Sequence, residues 1–518
     1  MSILSVLDKS RAVAPRDFNR WLIPPAALAV HLSIGEVYAF SVFKTALVDR
    51  FDASLTQIGI VFSIAIGMLG LSAAFGGTWV ERVGPRKAMV LAALCWGLGF
   101  AVGSVGVATN QLWLLYLGYG GIGGIGLGIG YVSPVSTLIK WFPDRPGMAT
   151  GLAIMGFGGG ALIASPLTDL FLESFAADPV NAIIPTFLTI AAIDVVVMLA
   201  GAATIRTPHP DWRPKGWTPP EKPRSALICQ GNVTAQNAIR TPQFWLLWVV
   251  LFCNITAGIG ILEQAAPMVQ DFFPGTAAAV AAGFVGVLSL CNMGGRFGWS
   301  TFSDVVGRKR IYMMYLGVGA VVYVLLSQVG TSSIVLFVLF AAIIISFYGG
   351  GFAAIPAYLK DMFGGMQVSA IHGRLLTAWS AAGIAGPLIV NSIADHQKAA
   401  GREGADLYAM SMLVMAGLLC VGFVANLLVR PVAQRWHEPV AAVATTPADA
   451  GPAPRTGAHA ATGRLRRSRV AAPTSAEQLL ARGGTLSTVL PRVLWVVVVG
   501  GLAYGLVTTV IKAVALFT

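Results

Sequence analysis

The chain has 518 residues, of which 56% are hydrophobic and only 11% charged, with a formal net charge of +12. A soluble domain carries about a quarter charged residues, so this chain cannot cover itself with polar surface; it reads as an all-α membrane protein embedded in a lipid bilayer. The cations are scattered over short loops without interleaved stacking aromatics, which argues against a nucleic-acid partner, and the five cysteines form no CxxC pair, which argues against a disulfide framework or a zinc site.

The first 20 residues lack the basic-then-apolar layout of a cleaved signal peptide. Apolar runs at 21–43, 57–79, 88–108, 111–139, 148–171, 182–204, 243–270, 277–302, 311–328, 333–358, 369–394 and 407–429 predict twelve transmembrane spans, and a thirteenth falls near 490–516. A polar, Pro-rich stretch at 205–242 reads as a cytoplasmic central loop between a first half, 1–204, and a second, 243–429. Residues 430–488 are rich in Ala, Pro, Thr and Arg and contain RLRRSR, the composition of a disordered cytoplasmic tether leading to the thirteenth span in 489–518. One set of loops carries Arg82, Arg86, Lys87, Lys140, Arg145, Arg308, Lys309 and Arg310, which places it, with the N-terminus, on the cytoplasmic face of the inner (plasma) membrane. The C-terminus then lies outside.

The two halves repeat. GGTWVERVGPRK (76–87) follows span 2 and GWSTFSDVVGRKR (298–310) follows span 8, while Pro134 in span 4 and Pro356 in span 10 are separated by almost the same interval as Glu81 and Asp304. A parallel duplication of six helices is the layout of transporters whose halves rock about a site near the midplane. In span 4, Gly120, Gly124 and Gly128 form one smooth helix face, and GFGGG (156–160) offers another for close packing.

Arg296 lies inside span 8, eight residues before Asp304 and therefore about 12 Å from the end of the span. A cation at such depth costs about 2.5–3.5 kcal/mol on insertion scales and calls for a protein-lined, wet cavity. Its planar fork matches a carboxylate with two parallel hydrogen bonds, so Arg296 is the candidate anion-binding residue. The alternative is an ion pair with an intramembrane acid: Glu36, Asp194 or Glu263. Asn292, one turn earlier, can orient the guanidinium or bond the ligand. Tyr131 and Tyr348 occupy related positions in the two halves, and Tyr38 and Trp379 are further candidate wall residues; for each, plain packing is the competing use. Glu36 is the candidate for coupling to protons, with His31 behind it, and either can instead be a helix–helix hydrogen-bonding group. No Ser/His/Asp constellation, metal-ligand cluster or nucleotide loop stands in the sequence, so neither an enzyme nor a cofactor is expected.

GGTWVERVGPRK resembles the loop 2–3 signature of the major facilitator superfamily through Gly77, Glu81, Arg82, Gly84 and Arg86, and the second copy matches at Asp304, Gly307 and Arg308. It departs from that signature in carrying Glu81 for the commoner Asp and in having Pro85 between Gly84 and Arg86. VYAFSVF (37–43), GYVSPVSTLIKWFPDRPGMATG (130–151) and HGRLLTAWSAAGIAGP (372–387) resemble the oxalate/formate antiporter family, related to the monocarboxylate transporters. The resemblance covers about 20–430 and implies a twelve-helix bundle of two parallel-related six-helix halves, here with one extra C-terminal helix. It also implies a substrate-binding Arg on span 8 and loops that latch the cytoplasmic ends of the halves in one state. Oxalate exchangers of that family are expected to carry a Lys deep in span 11, where this chain has Trp379. One guanidinium neutralises one carboxylate. The expected function is secondary transport of a small monocarboxylate such as lactate, pyruvate or formate, coupled to protons or by exchange. A dicarboxylate exchanger and a non-transporting carboxylate sensor are the alternatives. The last span resembles a small one-helix protein associated with this family; a simple anchor is the alternative.

Overall fold

The computed structural model describes residues 7–53, 55–175, 179–209, 211–218, 227–229, 231–276, 278–438 and 485–514. The expected tether, 430–488, falls largely outside them at 439–484, as does part of the central loop at 219–226. Residues 430–438 are ordered rather than tether-like: Gln434–Trp436 form a 3-10 turn, and the Glu438 amide donates to the Asn232 carbonyl at 2.8 Å.

Only helices satisfy their own main-chain groups in hydrocarbon, and the described chain follows that rule. Twelve helices among the described residues are long and apolar enough to cross a membrane; Ala278–Val306, which carries Arg296, is a further helix of 29 residues. Spans 2, 3, 5 and 6 are Leu55–Val83, Pro85–Ala108, Pro146–Phe175 and Pro179–Thr204. Spans 7 to 10 are Pro242–Phe272, Ala278–Val306, Arg308–Val329 and Ile334–Phe363, span 12 is Asp406–Leu428 and span 13 is Thr485–Val514. Span 11 is split into Val368–Leu375 and Thr377–Ala399.

Two further spans depart from the continuous helices their hydropathy predicts. Span 1 consists of a helix Pro24–Ile34, a 3-10 turn Gly35–Ala39 and a second helix Ser41–Phe51. Span 4 runs as Leu112–Leu115, a π-helical stretch Tyr116–Gly123 and Gly124–Trp141. The face read from Gly120, Gly124 and Gly128 is the face that meets span 2: Cβ atoms there would lie 2.9 Å from Ile64 and 2.6 Å from Met68, and at Gly128 would run into Leu69 and Ser72.

The duplication is visible in the backbone. Gly84 and Gly307, matching positions in the repeated loops, hold φ of 88° and 95°, a region that glycine enters without steric penalty. They turn the chain sharply between spans 2 and 3 and between spans 8 and 9. The seam between the halves is made by span 5 against span 8 and span 2 against span 11. It is close: a Cβ at Gly151 would lie 2.7 Å from the Arg296 carbonyl, and one at Gly77 would lie 3.4 Å from the Ser369 carbonyl.

Span 13 lies across that seam, against spans 1, 5 and 6 of the first half and span 8 of the second. Trp495 Nε1 donates to the Trp21 carbonyl at 3.2 Å near one end, and Lys512 pairs with Asp169 at 3.0 Å near the other. Gly505 abuts the Leu162 carbonyl, and Thr509 fills the space beside Gly286. Gly505→Leu should therefore displace this helix and lower stability by about 1–3 kcal/mol. Thermal unfolding in detergent reads the change, and a midpoint unmoved from wild type would refute the docking.

Candidate functional site

Arg296 is 0% exposed. Its Nε donates to Asn292 Oδ1 at 2.9 Å, one turn earlier on span 8, and its Nη1 donates to the Ile154 carbonyl of span 5 at 3.4 Å. Nη2 is buried and has no hydrogen-bond partner among the described residues. The acids available for an ion pair are engaged elsewhere: Glu36 with Asp194, and Glu263 with Lys44 at 2.9 Å. A guanidinium has five N–H donors and no acceptor, so a buried one without an acid is incompletely satisfied.

Aromatic rings take up part of that charge. The guanidinium carbon lies 4.9 Å from the Phe352 ring centre, 5.5 Å from Phe157 and 6.0 Å from Tyr348, within the range of cation–π attraction. Phe157 in turn meets Tyr38 at 5.2 Å, Trp379 at 5.3 Å and Tyr131 at 5.6 Å. Tyr131 and Trp379 stand 5.2 Å apart, and the hydroxyls of Tyr38 and Tyr348 share a hydrogen bond of 2.7 Å. The structure thus brings Arg296, Asn292, Tyr131, Tyr348, Tyr38 and Trp379 into one cluster at the junction of spans 1, 4, 5, 8, 10 and 11. Tyr131 OH and Trp379 Nε1 are, like Arg296 Nη2, buried donors without a partner among the described residues. Three orphaned donors around a cation are matched by a ligand that only accepts, which is what an ionised carboxylate does.

Glycines allow the cluster to form. A Cβ at Gly158 of span 5 would sit 2.7 Å from Arg296 Nε, and one at Gly351 would collide with Asn254 beside Phe352. Phe157 and Phe352, the two rings that join the cluster, are absent from the sequence-derived set. The signal was their position within GFGGG and YGGGF, where neighbouring glycines let a helix approach and leave the single ring to define the wall.

Glu36 stands apart from this cluster, whereas His31 borders it, its ring centre 5.4 Å from that of Tyr131. His31 is held between the carbonyl oxygens of Ala153 and Tyr131, the latter 3.1 Å from Nε2, so it ties span 1 to spans 4 and 5. Glu36 faces Asp194 of span 6 within the first half.

The repeated loops differ in use. Asp304 of span 8 reaches across the seam to the start of span 5, where it accepts from the amides of Gly147 and Met148, both at 3.0 Å. A carboxylate at a helix N-terminus satisfies orphan N–H groups and the positive end of the dipole. Arg308 donates to Asp304 at 2.5 Å and Asp361 at 3.3 Å, and Gly307 supplies the turn. In the first copy, Glu81 makes no such cap among the described residues, where its main-chain carbonyl accepts from Lys9 Nζ at 2.7 Å. Arg82 is exposed, and Arg86 is buried with its Nε on the Ile205 carbonyl at 3.2 Å. At the end of the bundle bearing these basic loops the halves touch, through Asp304 on the Gly147 and Met148 amides and through Gly77 beside the Ser369 carbonyl. A cavity lined by Tyr38, Lys44, Glu263, Ser289 and Asn292 approaches the cluster from the opposite, far side.

Residues 26–347 match the family model described as Major Facilitator Superfamily. The chain is 28% identical over 369 residues to the oxalate:formate antiporter of Oxalobacter formigenes, covering 71% of this chain and 83% of that protein. It is 23% identical over 386 residues to apicoplast pyruvate carrier 1 of Toxoplasma gondii, covering 65% and 68%. Among solved structures it resembles the E. coli fucose:proton symporter FucP, with a TM-score of 0.55, 15% identity and coverage of 79% of this chain and 100% of that one.

Replacing Arg296 by Lys keeps the charge and removes the fork. Titration of the protein in nanodiscs with pyruvate and with formate should show binding weakened about 10- to 100-fold. Wild-type affinity in Arg296→Lys would rule out a two-pronged anchor.

Proposed function

The chain belongs to the major facilitator superfamily, and on that premise we propose that it carries a small organic monocarboxylate across the inner membrane by alternating access. The observation that carries this reading is the buried guanidinium of Arg296, without an acid partner among the described residues, together with two further donors, Tyr131 OH and Trp379 Nε1, that lack a partner among them. The carboxylate enters from the far-side cavity and takes Arg296 Nη2, Tyr131 OH and Trp379 Nε1 as its donors. Phe157, Phe352, Tyr38 and Tyr348 enclose its short carbon chain. Binding removes an uncompensated charge from the seam between span 5 and span 8. That differential stabilisation is what lets a ligand shift the balance between states of the bundle. Opening the basic end, taken here as the cytoplasmic one, then requires the Asp304 cap on span 5 to release.

A monocarboxylate suits this site because Arg296 is the one cation touching the aromatic cluster among the described residues, and a second carboxylate would stay unneutralised. The similarity to an oxalate:formate antiporter supports a second reading, exchange of a dicarboxylate, for which the second cation would be Lys44, which lines the cavity and is paired there with Glu263 at 2.9 Å.

Counterflow in proteoliposomes separates the readings. Labelled pyruvate, lactate and formate should exchange, and oxalate should compete about tenfold less well, as expected for an unpaired charge brought into the site. Oxalate exchanging fastest would select the dicarboxylate reading. Binding of every anion without any counterflow would mean a sensor and would end the transport proposal.

A further inference from the structure

A second polar site lies in the first half. Glu36, in the 3-10 turn Gly35–Ala39 of span 1, and Asp194 of span 6 are 3% and 7% exposed, and their carboxyls hydrogen-bond to each other. Trp96 Nε1 of span 3 donates to Asp194 Oδ2 at 2.8 Å, and Ser33 of span 1 bonds the same carboxyl. Tyr119 of span 4 is the further titratable group facing the pair, and span 5 presents glycine backbone to it. No Lys, Arg or His stands among the charge or hydrogen-bond partners of either carboxyl in the described residues. Glu36 Oε1 is buried without a partner among those residues.

Chemistry constrains this arrangement. An ionised carboxylate only accepts, so a hydrogen bond between two carboxyls needs a proton on at least one of them. Loss of that proton would leave two like charges against each other in a shell of Trp96, Tyr119 and their ring neighbours, with no cation to offset them. The pair is therefore a place where a proton is held and from which its departure forces a local rearrangement.

The rearrangement has a route to the anion cluster. At Gly160 of span 5 a Cβ would lie 2.6 Å from Gly35 Cα and 2.7 Å from the Glu36 amide, so the 3-10 turn is pressed onto the same glycine run whose Gly158 backs Arg296. Two residues after Glu36, in the same turn, Tyr38 places its ring 5.2 Å from Phe157 and its hydroxyl 2.7 Å from that of Tyr348. One short turn thus holds a proton site on one side and a wall of the anion site on the other. The far-side cavity reaches Val37, the residue after Glu36, and Tyr38 of the same turn.

We propose that Glu36 and Asp194 together form a proton-binding site, and that its occupancy sets the position of Tyr38 and so couples proton movement to carriage of the carboxylate. The inference rests on the transport reading above. The proton taken up by the pair from the far side is released to the basic side in the same cycle that moves the anion, so the pair returns to its starting state.

The test uses the full chain in proteoliposomes and whichever labelled probe of pyruvate, lactate, formate and oxalate wild type exchanges fastest. Net uptake is driven by an inward proton gradient, counterflow is measured at equal pH, and proton influx is followed with a trapped pH dye. Wild type should admit protons together with the anion. Glu36→Gln and Asp194→Asn should each lower gradient-driven uptake about tenfold more than they lower counterflow. Asp194→Glu, which keeps a carboxyl, should restore gradient dependence. Anion uptake by wild type without proton influx would overturn the site, as would either amide variant keeping the wild-type response to the gradient. Absence of counterflow in wild type would instead defeat the transport reading itself. Loss of all counterflow in the amide variants leaves the wild-type influx measurement to decide.

Discussion

A permanent positive charge in a dry place is the constraint around which this molecule is arranged. Burial of Arg296 at the meeting of spans 5, 8 and 10 removes the water that would otherwise solvate its guanidinium. Asn292, one main-chain carbonyl and three ring faces hold the guanidinium in place without neutralising it. A structural ion pair would have been the simpler solution, and the acids for it exist within the membrane spans. Glu36 and Asp194 instead bind each other, and Glu263 binds Lys44. Among the described residues no acid neutralises the guanidinium, and it is this position that we propose an incoming anion occupies.

The position matters because Arg296 sits on the seam between the halves. Span 8 contributes the guanidinium and span 5 the glycine face against which it lies. The same two helices are joined at the basic end by the Asp304 carboxylate on the Gly147 and Met148 amides. A helix cap of this kind is worth about 0.5–2 kcal/mol, enough to hold a state and small enough to be reversed by ligand binding. The first-half loop, with the longer Glu81, makes no matching cap, so closure at this end is asymmetric although the backbone turns at Gly84 and Gly307 are alike. Span 13 crosses the same seam on the outside, gripping span 5 through Gly505 and Asp169.

Much of this was legible in the sequence because the membrane imposes simple rules. Long apolar runs must be helices, so the spans could be placed, and a repeated loop with its acid at nearly the same interval exposed the duplication through Glu81 and Asp304. Arg296 stood out for the same reason that makes it central: a charge is rare at that depth. The aromatic residues Tyr131, Tyr348, Tyr38 and Trp379 could be named, but packing was an equally good explanation until the rings were seen to converge. Other features were hidden by long-range geometry. The 3-10 turn at Gly35–Ala39 and the π-helical stretch at Tyr116–Gly123 arise where glycine-rich helices press together, which hydropathy does not register. Phe157 and Phe352 looked like ordinary apolar residues within glycine runs. The pairing of Glu36 with Asp194 joins residues far apart in sequence, and nothing local distinguishes it from an acid facing Arg296.

The most direct test of the central claim is an experimental structure of the protein in lipid with pyruvate bound. The carboxylate should lie within hydrogen-bond distance of Arg296 Nη2 and Tyr131 OH, enclosed by Phe157 and Phe352. A structure in which that guanidinium is paired with Glu36, Asp194 or Glu263 while the anion occupies another cavity would contradict it.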